Sequence, residues 1–71
     1  MADYSKLTGP RTEIWKRGPG GRVLVKIIEG LPYGKTPIIQ IPEFGEAQLA
    51  GIEISGSGPQ ETIIAVSYVL N

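Results

Sequence analysis

The stretch Glu29–Pro37, EGLPYGKTP, comes nearest to a recognisable chemical motif in this 71-residue chain. Gly30-x-x-x-Gly34-Lys35-Thr36 has the residue types of a loop that cradles phosphate. Such a loop needs four residues between its first Gly and the Gly-Lys pair, and it must open a helix whose N-terminal amides and dipole hold the anion. Here only Leu31, Pro32 and Tyr33 intervene, and Pro37-Ile38-Ile39 follows at once as a strand. The one Asp that could serve magnesium is Asp3, near the N-terminus. The segment therefore reads as a Gly/Pro turn carrying an exposed Lys35.

Other chemistry is equally thin. There is no Cys and no His, which removes disulfides and thiolate or imidazole zinc ligands. Ser5, Ser55, Ser57 and Ser67 lack a His to activate them. Lysine could serve as their base only in a shaped pocket, which few chains of this length can build. Glu43 and Glu46 are three apart and would share a face of a helical turn, but no third oxygen ligand lies near them in sequence and Gly45 loosens the turn. They read as solvated loop charges. The expectation is a protein that is not an enzyme and that holds no metal or cofactor.

Two binding chemistries remain. Trp15, Lys16, Arg17 and Arg22 place an aromatic beside three bases around GPGG, a combination that small β-barrels use to stack and neutralise single-stranded nucleic acid. Strand alternation puts Trp15 and Lys16 on opposite faces, and Trp15 with Arg17 on one. Against this reading stands the zero net charge, since nucleic-acid-binding domains usually run basic. A lone Trp in a domain with few aromatics is also more often a core anchor.

The second chemistry is self-association. All seven bases lie in residues 1–35 against Asp3, Glu13 and Glu29, leaving that half at +4, while residues 36–71 carry Glu43, Glu46, Glu53 and Glu61 with no base, −4. The halves either mix within one sheet or meet across a subunit contact. A chain this short buries only about 60% of its unfolded surface and commonly leans on a staple or a partner, and the staples are absent. This favours a homo-oligomeric structural subunit. Coat and decoration proteins of viral particles, often compact β-domains with extended arms, are the fold-level analogy.

The elements that must position these residues are short strands. Residues 1–11 show no period and are broken by Gly9-Pro10, an extended N-terminal arm ahead of one domain over 12–71. TEIWKR (12–17) and RVLVKIIE (22–29) are β-rich and joined by GPGG, with Pro19 presetting the turn and Gly20 taking the positive φ. Alternation assigns Val23, Val25 and Ile27 to the core and Arg22, Leu24, Lys26 and Ile28 to the other face. IIQI (38–41), between Pro37 and Pro42, reads as an edge or corner strand. EFGEAQLA could hold one helical turn, LAGIEIS (49–55) a strand with Ala50, Ile52 and Ile54 on one face, and ETIIAVSYVL (61–70) a strand apolar on both faces. A strand greasy on both sides is central to its sheet or faces a subunit.

Together these predict an all-β domain, a five-stranded barrel or two-layer antiparallel sandwich. The candidate subunit contacts are Tyr4 and Leu7 in the arm, Leu24 and Ile28 on the mixed face of the second strand, and Ile63 and Val69 on the last. No apolar h-region follows the N-terminus and no apolar run matches a membrane span, so the expectation is a cytoplasmic protein, or a virion component in the particle reading, with no membrane partner.

Overall fold

The computed structural model describes residues 9–71. Tyr4, Leu7 and most of the expected N-terminal arm lie outside these residues.

Five strands follow in chain order: β1 Arg11–Gly18, β2 Gly21–Glu29, β3 Ile38–Ile41, β4 Gly45–Ser55 and β5 Thr62–Leu70. The all-β expectation is met. The strands form one sheet in the order β2-β1-β5-β4-β3, which is not closed into a barrel and is mixed, because β1 runs parallel to β5 while the other neighbours are antiparallel. A strand with no polar face suits the centre of such a sheet, and β5 takes that place. IIQI is an edge strand, flanked by prolines that cannot donate to a ladder.

The core lies on one face. Ile14, Ile39, Ile41, Ala47, Val66, Tyr68 and Leu70 form its buried cluster, with Val25, Ile28, Leu31, Tyr33, Leu49 and Ile63 packed against it. Leu31 and Tyr33 come from the 30–37 loop, so the former phosphate-loop candidate is a strap across the core. Gly30 and Gly34 turn it with φ of 79° and 58°, values open chiefly to glycine. Thr12 ties down one end by donating its hydroxyl to the Gly30 carbonyl at 2.9 Å, and Tyr33 meets Tyr68 edge-on with centroids 6.2 Å apart.

Three bulges displace the alternation read from the sequence. Lys26 pairs with Ile14 but Leu24 with Trp15, leaving Val25 as the extra residue. Ile28 therefore packs on the core and Ile27 stands opposite Glu13 on the second face, while Val23 keeps to the core side but is 58% exposed near the hairpin tip. Ala50 and Ile64 are the extra residues of the β4–β5 ladder. They place Leu49 and Ile63 on the core; Ala50 is exposed at its bulge, and Ile52 and Ile54 are exposed on the core side of the far end of β4, past the packed cluster. Two local expectations are corrected as well. The positive φ of the first hairpin falls on Gly21 rather than Gly20. The anticipated helical turn is instead the start of β4, because pairing with β3 and β5 outweighs the weak helical preference of EAQLA.

The β4–β5 connection passes through a 3-10 turn at Gly58–Gln60. Gly56 has φ 88°, and a Cβ there would stand 2.5 Å from the Gln60 carbonyl oxygen. Gly56→Ala is expected to lower stability by about 1–3 kcal/mol through strain at that backbone position. Urea unfolding monitored by circular dichroism checks this; an unchanged midpoint would mean that the turn relaxes freely.

Candidate functional site

The second face of the sheet carries a polar cluster across β1 and β5. Register brings Arg11 opposite Ala65, Glu13 opposite Ser67 and Trp15 opposite Val69. Glu13 accepts from Arg11 Nε at 2.8 Å, from the Trp15 indole N–H at 3.2 Å and from the Ser67 hydroxyl at 3.2 Å. Trp15 is thus half-buried and held through its one polar atom. Lys16 points to the opposite face, as alternation requires, and Arg17 and Arg22 are exposed and directly opposite one another. Of the four nucleic-acid candidates, Trp15, Arg17 and Arg22 share the second face, with the indole held by Glu13 and the two guanidinium groups exposed beyond it, while Lys16 lies on the other face.

Glu13→Ala would leave three partly buried donors without their acceptor. A loss of about 1–2 kcal/mol is expected, with a red shift of Trp15 emission as the indole gains water. An unshifted emission spectrum would show that Glu13 does not hold the ring.

The candidate contacts among the described residues are largely taken up by the fold. Ile28 and Ile63 pack on the core cluster, Val69 is buried and Leu24 is half-buried beside Trp15. The large apolar side chains that do face solvent are Val23, Ile38, Phe44, Ile52 and Ile54. Alternation alone does not reveal this set: Val23, Ile52 and Ile54 lie on the core side but towards the ends of β2 and β4, past the packed cluster, Ile38 opens the edge strand and Phe44 sits in the β3–β4 turn.

Glu43 and Glu46 do not act as a pair. Lys26 reaches across from β2 to Glu43, while Asn71 donates its side-chain amide to Glu46. Lys35 is exposed on the strap.

Sheet order arranges the remaining charge. The β1–β2 flank holds Arg11, Lys16, Arg17, Arg22 and Lys26 against Glu13 and Glu29, a net +3. The β3–β4 flank with its turn holds Glu43, Glu46 and Glu53, a net −3, and β5 between them has no charged residue. The basic and acidic halves therefore occupy opposite sides of one sheet. Among the described residues, the ion pairs are Arg11–Glu13 and Lys26–Glu43. Lys16, Arg17, Arg22, Glu53 and Glu61 take part in neither.

No helix among the described residues is long and apolar enough to cross a membrane. Compared with known protein families, curated proteins and solved structures, the chain matches none of them.

Proposed function

We propose that this is a non-enzymatic structural subunit that assembles with copies of itself, as the coat or decoration components of a viral particle do. The observation that carries this reading is the segregation of charge: a +3 flank and a −3 flank separated by an uncharged central strand on a molecule of zero net charge. A neutral particle with two oppositely charged sides attracts its own copies and orients them as they meet. The exposed Val23, Ile38, Phe44, Ile52 and Ile54 add apolar area to such a contact. The virion setting rests on analogy with other small β-subunits and is the outermost layer of the proposal.

Light scattering across a salt series tests it. A mass above the 7.6 kDa of one chain is expected at low salt, falling as salt screens exposed charges over about 8–10 Å. A mass of one chain at every salt concentration would contradict the reading.

Exposed Lys16, Arg17 and Arg22 favour a second reading, single-stranded nucleic acid. Titration of Trp15 fluorescence with an oligonucleotide separates the two. Steep, salt-sensitive quenching would support nucleic acid, and an unchanged signal at low salt would remove that reading.

A further inference from the structure

The strand registers make both ends of the sheet project. Pairing of β1 with β5 stops at Trp15–Val69, whereas pairing of β1 with β2 continues to Gly18–Gly21. Residues 16–23 therefore form a two-stranded finger beyond the last β1–β5 pair. At the other end, pairing of β1 with β5 begins at Arg11–Ala65, whereas pairing of β4 with β5 runs on to Ser55–Thr62. That ribbon extends past β1 in the opposite direction.

The two projections carry matching chemistry on matching faces. On the core side of the finger lie Lys16 and the exposed Val23, paired with each other; on its second face lie Arg17 and Arg22. On the core side of the ribbon lie exposed Ile52 and Ile54; on its second face lies exposed Glu53, and exposed Glu61 stands at the ribbon's end, just before β5. Arg17 directly opposite Arg22 is an unfavourable cross-strand pair for the isolated chain. An acidic surface from outside would relieve that repulsion. Strand addition along the sheet edges is the poorer route, since β3 is four residues long between prolines and β2 carries a bulge, both devices that blunt an edge.

We infer that the finger of one copy docks on the β4–β5 ribbon of the next, head to tail, with Arg17 and Arg22 against Glu53 and Glu61 and with Val23 against Ile52 and Ile54. This deepens the assembly reading and rests on it. The contact is heterologous, so repetition closes a ring or extends an open array.

Charge reversal tests the contact by sedimentation velocity. R17E/R22E places acid against acid at every contact and is expected to weaken association by more than about tenfold. The quadruple variant R17E/R22E/E53R/E61R is again neutral, and its association is expected to return to within about threefold of the original. A control, R17E/R22E/E29K/E46K, is equally neutral but leaves the ribbon acidic, and stays dissociated. All substituted positions are exposed, and circular dichroism spectra confirm that each variant is folded. Three outcomes overturn the inference. If R17E/R22E assembles like the original protein, the finger is not the contact, while the assembly reading stands. If the control assembles as well as the matched swap, net charge alone is responsible. If the original protein is a single chain throughout, the assembly reading fails too, and salt-sensitive oligonucleotide binding lost in R17E/R22E would assign the finger to nucleic acid.

Discussion

Val66→Asp is expected to abolish folding. Val66 has no exposed surface and lies at the centre of the central strand, between Thr12 of β1 and Ile52 of β4. It belongs to the buried cluster with Ile14 and Tyr68. An aspartate there would have to stay protonated or remain charged without a partner, and burial of an unpaired polar group costs about 2–7 kcal/mol before the lost valine packing is counted. Domains are stable by only about 5–15 kcal/mol, and one this small belongs at the low end. The expected result is loss of the β-sheet circular dichroism signal and of the native dispersion of amide resonances. A dispersed spectrum from Val66→Asp would contradict the placement of β5 at the centre of the sheet.

Tyr68→Ala is expected to be the most damaging truncation. Tyr68 is fully buried, joins the core cluster on β5, and meets the strap through Tyr33. Removing the ring leaves a large void and releases the strap, at a cost of about 3–5 kcal/mol, the range for truncating buried aromatics. The phenol also sets a limit at high pH. Burial, with a smaller contribution from Tyr33, holds the Tyr68 hydroxyl above its ordinary pKa of 10.0. The folded state resists losing this proton more than the unfolded chain does. Its contribution to stability is therefore complete below pH 10 and is lost as the pH rises through the folded value. Tyr68→Phe should remove that part of the alkaline loss while keeping most of the packing. An alkaline unfolding midpoint identical in Tyr68→Phe and the original protein would show that the phenol plays no part.

The elements were far more legible in the sequence than their arrangement. β-Branched runs between Gly/Pro turns located β1, β2, β3 and β5 to within a residue or two, and the dual apolarity of TIIAVSYVL pointed to the central position that β5 holds. Faces were read less well, because alternation assumes a regular ladder and the bulges at Val25, Ala50 and Ile64 each insert a residue. Those insertions moved Ile28 and Ile63 to the core, whereas Val23 and Ile52 keep to the core side and are exposed because they lie towards the strand ends, past the packed cluster. The parallel β1–β5 pair has no local signature, since it joins residues more than fifty positions apart, and the mixed sheet follows from that pairing. EGLPYGKTP was legible as a turn. Its use as a strap over the core depends on where Leu31 and Tyr33 land.

The charge pattern shows the same division. The split at Lys35 is plain in the sequence, yet its meaning depends on strand order. An order that interleaved the two halves would have mixed the charges. The order β2-β1-β5-β4-β3 instead keeps them on opposite flanks, although within one molecule Lys26 reaches Glu43 and Val25 and Ile28 pack on the cluster that holds Ile39 and Ile41. Trp15 illustrates a side chain whose neighbours decide its role. In sequence it stands beside Lys16 and Arg17, but in the sheet its indole N–H is held by Glu13.

Native mass spectrometry over a concentration series from about 1 to 100 μM, spanning the affinities common to specific protein contacts, tests the central claim most directly. Self-assembly through oppositely charged sides predicts a ladder or closed set of multiples of the 7.6 kDa chain that grows with concentration. A single 7.6 kDa species across the whole series would contradict it.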